Sequence, residues 1–209
     1  MDIIHSTNLV PFLIAALALN LTPGADMAYV ATVGAQRGWQ HGALAAIGIG
    51  AGCIGHVLLA AFGVSALVAL SPILFTILKI LGAAYLLWFA FKLMRGDPTG
   101  GSDTTIEQSA GKVFRDGVLI NLLNPKVGVF FIAFLPQFSD PAAGKIWLQM
   151  IFLGLFFTIS GTLVNLGVGT SAAWVSRHVA GYSRVARAAR LLAATVIGAL
   201  AIRLLATSR

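Results

Sequence analysis

The stretch "NLTPGADMAY", Asn20 to Tyr29, interrupts an apolar run that extends from Leu9 to about Val33. A run of that length can cross a bilayer, which takes roughly 20 apolar residues as a helix. Lipid cannot hydrogen-bond a backbone, so a helix may break at that depth only where protein or a wet cavity serves the freed groups. Pro23 and Gly24 break this run, and Asp26 puts a charge beside the break. Any fold for this chain has to accommodate all three.

Composition makes the membrane reading general. The 209 residues are 58% hydrophobic and 10% charged, with a mean hydropathy of +0.89. A soluble domain carries about a quarter charged residues, so this chain lacks the polar surface to face water. Six apolar stretches read as spans, at about 9–34, 43–69, 73–94, 116–136, 147–173 and 188–207. The fold class expected is an all-α membrane protein. No cleavable signal peptide is expected, because the first residues carry Asp2 and His5 but no Lys or Arg. Tight turns are expected at Leu70 to Pro72 and at Ser139 to Gly144, and residues 95–114 read as a polar loop rich in Gly, Ser and Thr.

Basic residues orient the spans. Arg37, the group Lys92, Arg95, Lys112 and Arg115, and the group Arg177, Arg184, Arg187 and Arg190 all fall on one side of a six-span chain. The positive-inside rule makes that side cytoplasmic and puts both termini outside, with Lys145, Arg203 and Arg209. Residues 177–190 read as a basic loop, with an interfacial helix as the second reading. The net charge of +7 points to anionic lipid rather than nucleic acid.

An internal likeness adds to this. "LNLTPGADMAYVATVG" (Leu19 to Gly34) and "INLLNPKVGVFFIAFLP" (Ile120 to Pro136) share Asn-Leu, a polar residue directly before proline, small residues and an apolar run. Pro23 and Pro125 fall in the first span of each three-span half. Three is odd, so the halves insert in opposite senses, as in inverted-repeat transporters. The expected organisation is a first repeat over 1–94, a cytoplasmic loop over 95–115 and a second repeat over 116–209. Thr22 and Asn124 are good N-cap residues, each before a proline at the first helical position. Each new helix start carries unpaired N–H groups and partial positive charge, which suit a carboxylate.

The polar residues near the breaks are the candidate site. Asp26 reads either as a carboxylate balancing a helix dipole or as an amine or proton site, and acids inside membranes favour the second reading. Lys126 opposes the dipole of the helix it starts, so its burial calls for an anion, either Asp26 or substrate. Asn20, Asn121 and Asn165 could bind substrate or a neighbouring helix. Lys79 reads as a snorkelling cation, and His56 as hydrogen-bonded packing. "GAGCIG", Gly50 to Gly55, matches a dinucleotide pattern but lies in an apolar span with no preceding strand. Gly48 and Gly52 read instead as a close-packing pair. No H-E-x-x-H or G-x-S-x-G occurs, and the lone Cys53 rules out a disulfide framework or a Cys-rich metal site. No catalytic residue, metal or cofactor is expected.

"TPGADM", "LKILGAAYLLWFAFKL", "FRDGVLINLLNPKVGVFFIAFLPQF" and "GALAIRLL" resemble the lysine/homoserine–threonine exporter (LysE/RhtB) family. The resemblance spans nearly the whole chain except residues 96–111. It implies a six-span bacterial inner-membrane exporter of an amino acid or close derivative, driven by the proton gradient. Its motif positions here are Pro23, Gly24, Asp26, Asn121, Asn124, Pro125 and Lys126. The family often has a second proline after the glycine, where this chain has Ala25, which softens the expected first break. Expected partners are a small-molecule substrate, protons and the bilayer, with room for a homo-oligomer and no nucleic acid. Two other readings compete: a transporter of another small solute or ion, and a membrane scaffold that transports nothing.

Overall fold

The computed structural model describes residues 6–64 and 109–178, with the single residues 73, 76, 77, 80, 81, 84, 87, 88, 91, 195 and 202. Lys79, most of the stretches 73–94 and 188–207, and residues 92–108 and 179–194 lie outside the described residues.

Helix α1 is Ser6–Leu21 and α2 is Ala25–Arg37. Helix α3, Trp39–Leu58, continues as a π-helix over Leu59–Val64. Helix α4 is Ala110–Leu122, and α5 is Pro125–Val129. The chain after α5 runs on as a π-helix, Phe130–Phe134, and a 3-10 turn, Leu135–Phe138. Helix α6, Ile146–His178, is 33 residues long. Helix α4 begins inside the segment that composition marks as loop: Ser109 takes the extended N-cap conformation, and helix follows at once.

Two stretches, Trp39–Gly63 and Ile146–Trp174, are long and apolar enough to cross a membrane unbroken. Two helix pairs meet that test jointly and are bent by 47° each: Leu9–Leu21 with Ala25–Arg37, and Ala110–Leu122 with Pro125–Phe138. Many large side chains stand exposed on these helices, Leu123, Leu163, Val10 and Trp174 among them. In a bilayer such faces meet lipid at no cost. The chain is a multi-pass membrane protein.

Helix α6 packs against α1, α2 and α3, and α3 packs against α4. The approach of α3 to α4 is close enough to need glycine. A Cβ on Gly52 would lie 2.6 Å from the Val118 carbonyl oxygen, and one on Gly48 would collide with the Phe114 carbonyl. The close-packing pair read from the sequence is therefore borne out.

The interior divides into two apolar clusters. An aromatic one joins Phe12 of α1 to Phe130, Phe131, Phe134 and Phe138 beyond the second break, and to Phe157 of α6. Phe130 stacks on Phe157 at 4.7 Å, and Phe12 meets Phe138 edge-on at 5.4 Å. An aliphatic one joins α2, α3 and α4 through Tyr29, Val30, Val33, Ala45, Ile49 and Val113. Both helix breaks lie between these clusters along their chain segments. Arg37 ends α2 and Lys112 lies in the first turn of α4, and the two helices are joined by the Tyr29 hydroxyl, which donates to the Val113 carbonyl at 3.0 Å. Lys145 stands at the start of α6, 6.0 Å from the Trp147 ring.

Candidate functional site

Each helix break stands beside a proline. Pro23 has no N–H to give the Leu19 carbonyl four residues back, and Pro125 has none for Asn121. In the first break the Thr22 N–H turns to Leu19 O at 3.2 Å; in the second the Asn124 N–H turns to Asn121 O at 2.9 Å. The carbonyls beyond each break keep lone pairs for side chains.

The two new helices start differently. Asn124 caps α5 as its sequence position predicts, its Oδ1 accepting from the Lys126 N–H at 3.0 Å. Thr22 does not cap α2. Its hydroxyl donates back to the Ala18 carbonyl at 2.6 Å, Pro23 stays outside the helix, and Gly24 is the extended N-cap with no side-chain bond. The amide end of α2 is thus left without the side-chain acceptor that α5 has.

Each break holds the charge that follows the other. The Lys126 ammonium donates to Leu19 O at 3.3 Å and Thr22 O at 3.2 Å, at the C-terminal end of α1. Gly24 leaves it room, since a Cβ there would stand 3.2 Å from Nζ. The Asp26 carboxylate accepts from Asn121 Nδ2 at 2.8 Å and Asn124 Nδ2 at 3.0 Å, around the second break. All four side chains are buried, Lys126 to 6% exposure and Asp26 to 8%. The expected anion beside Lys126 is replaced by backbone: among the described residues no contact within 4.0 Å pairs Asp26 with Lys126. A lysine opposing its own helix dipole is instead bonded to the negative end of another helix.

These groups border one small cavity of about 30 Å³. Asn20, Asp26, Asn121 and Lys126 form its polar wall, while Ile49, Cys53, Val127 and Phe157 are apolar. Gly24, Pro23, Asn124 and Pro125 shape the backbone behind it rather than lining it. Asn20 is anchored, its Nδ2 donating to Phe157 O at 3.1 Å and to the Ser160 hydroxyl at 3.0 Å. Asn121 keeps a buried Oδ1 without a partner.

Residues 17–208 match the family model described as LysE type translocator. The chain belongs to that family. An uncharacterized membrane protein of Vibrio cholerae is 34% identical over 188 residues, covering 90% of this chain and 91% of its own. A leucine efflux protein of Klebsiella pneumoniae is 30% identical over 200 residues, 94% of each chain. A homoserine/homoserine lactone efflux protein of Salmonella typhi is 30% identical over 171 residues, 81% of this chain and 82% of its own. No solved structure matches the chain.

Of one wall of this translocator's cavity the sequence reading named only Asn165 and missed Thr158, Gly161 and Thr162. All four, from α6, line it. Their spacing of three, four and seven residues puts them on one helix face, a pattern that periodicity could have revealed. Thr158 donates to Cys53 Sγ at 3.2 Å and to Gly154 O at 2.8 Å. Asn165, 8% exposed, has no side-chain hydrogen bond among the described residues. His56 is in hydrogen-bonded packing, as read: its Nε2 lies 3.0 Å from Asn121 O, and its ring stacks on Phe131 at 5.9 Å. Among the described residues no group of three or more His, Cys, Asp or Glu could hold a metal ion.

Proposed function

We propose that this translocator exports an amino acid or close derivative across the bacterial inner membrane by proton antiport. The observation that carries the reading is the cavity itself: one buried cation and one buried anion border it, each held by neutral groups of the opposite break. Buried charges in a membrane are costly and mark substrate or ion paths. A zwitterion brings one charge for each. The relatives named for leucine and for homoserine efflux support the same class of substrate.

The free donors and acceptors of the cavity support a division of roles within that reading. An ammonium has three N–H donors, and Lys126 uses two on carbonyls, leaving one for a carboxylate. The uncapped amide end of α2 adds further donors and a favourable dipole. The start of α5 offers less, because Asn124 already takes its first free N–H. The substrate ammonium pairs with Asp26 and the free Asn121 Oδ1. Asp26 also carries the coupling proton, as the one carboxylate among the described residues that borders the cavity. Asn20, Pro23, Gly24, Asn124 and Pro125 complete the site by fixing the backbone around these groups.

Six spans, arranged as inverted repeats over 1–94 and 116–209 with a cytoplasmic loop at 95–115, give such a site alternating access. Both termini then face outside. Purified protein in proteoliposomes, screened by counterflow against neutral, basic and acidic amino acids, tests the function. Exchange of at least one amino acid above protein-free vesicles is expected. Exchange of none would refute it.

A further inference from the structure

In each break proline removes the regular helical donor of one carbonyl, a nearer backbone N–H takes its place, and a side chain from the other half adds a second contact. Lys126, beyond the second break, serves Leu19 O in the first. His56, from α3 in the first half of the chain, serves Asn121 O in the second. A carbonyl only accepts, so Nε2 carries the hydrogen in this contact. The ring is 7% exposed, stacks on Phe131, and lies 3.5 Å from where a Cβ on Gly128 would stand. It has little freedom to leave the carbonyl. The same residue whose carbonyl it holds carries the amide that grips Asp26 at 2.8 Å.

We propose that His56 is a positioning residue for the cavity: by holding the Asn121 carbonyl it fixes the Asn121 side chain, and through it the Asp26 carboxylate. His56 does not border the cavity and touches no substrate. The backbone of Asn121 is the link: with the regular helical bond removed by Pro125, its carbonyl is shared between the Asn124 N–H at 2.9 Å and His56 Nε2 at 3.0 Å. The consequence for transport rests on the exporter reading given above. The structural link to Asp26 does not.

Two measurements on the full-length protein test it. Magic-angle-spinning NMR of protein labelled at asparagine reads the Asn121 carbonyl carbon and side-chain Nδ2. His56→Phe keeps the ring and the stack but removes the donor, and it should shift both signals. His56→Gln restores a donor and should return both toward wild type. A shifted carbonyl with an unmoved Nδ2 would overturn the proposal, as would two unmoved signals. His56→Leu serves the same comparison should the phenylalanine variant not fold.

In proteoliposomes His56→Phe should raise KM for the exported amino acid about tenfold with Vmax held within about twofold, the size of one buried hydrogen bond. His56→Gln should recover most of that. In an Asn121→Ala background the same substitution should change KM by less than about twofold, because the positioned group is gone. Effects that multiply instead would make His56 a packing residue. Wild-type protein that transports no amino acid would refute the exporter reading and leave the NMR comparison to decide on His56.

Discussion

Lys126 and Asp26 are costly residues to bury, and each is held by the half of the chain to which it does not belong. An unsatisfied polar group in an apolar interior costs about 1–3 kcal/mol, and an unpaired charge far more. Here two carbonyls serve the ammonium and two amides serve the carboxylate. Neutral partners hold a charge without cancelling it, so both groups stay available to a zwitterion. Gly24 gives a direct check, because it is the gap into which the ammonium fits. Gly24→Ala would set a methyl 3.2 Å from Nζ, and the flexible lysine would yield by drifting off the Leu19 and Thr22 carbonyls. The expected result is a KM raised by roughly five- to tenfold, about the loss of one hydrogen bond, with a thermal midpoint close to wild type. A large fall in midpoint with unchanged KM would place Gly24 in packing alone. The sequence pointed to Asp26, Lys126 and the asparagines as polar groups in apolar runs, but it could not pair them. The partners stand 95 to 107 residues apart, and only the folded contact of the two breaks brings them together.

The elements carry the same argument one level up. Two helix pairs bend by the same 47°, each beside a proline that cannot make the regular helical bond to the carbonyl four residues back. Pro125→Ala supplies an N–H that can return to Asn121 O, and Pro23→Ala does the same for Leu19 O. Each should straighten its pair and close the backbone groups of the site. Counterflow should fall at least about tenfold in both variants while the thermal midpoint holds or rises, since a helix interior gains up to ~3 kcal/mol on losing proline. Wild-type counterflow in both would remove the breaks from the transport machinery. The breaks and the glycine contact of α3 with α4 were legible, because proline and glycine act through backbone geometry alone. The first N-cap was not: a threonine hydroxyl can accept from a forward N–H or donate back to a carbonyl, and that of Thr22 donates back to Ala18. Nor were the π-helical stretches Leu59–Val64 and Phe130–Phe134 legible, for an apolar run reads the same whether its turns are wide or regular.

On the scale of the whole molecule, charge and hydrophobicity set orientation. Arg37 and Lys112 come from distant parts of the chain, on helices α2 and α4, which are joined at Tyr29 and Val113. The end of α2 at Arg37 and the start of α4 at Lys112 are expected to face the cytoplasm. A cysteine introduced by Thr104→Cys, in the segment between the halves, should resist a membrane-impermeant maleimide in right-side-out cells and react in inverted vesicles. Ready labelling in intact cells would reverse the topology. Of the α6 wall of the cavity, the whole-chain reading named Asn165 and passed over Thr158, Gly161 and Thr162. A 33-residue helix that is apolar on average hides a short polar face, and only its packing against α1 and α3 shows which face that is.

The central claim is that Asp26 and Lys126 divide the work of proton coupling and carboxylate binding in one cavity. Export from proteoliposomes under an imposed pH gradient, with the free amino acid and its methyl ester, tests it in wild type, Asp26→Asn and Lys126→Met. Asp26→Asn should lose gradient-driven export yet keep some exchange at zero gradient, because an amide still hydrogen-bonds but cannot cycle a proton. Lys126→Met should raise KM for the free amino acid about tenfold or more and leave the ester within about twofold, since only the former has a carboxylate to pair. Undiminished gradient-driven export by Asp26→Asn, or equal losses for amino acid and ester in Lys126→Met, would contradict the account.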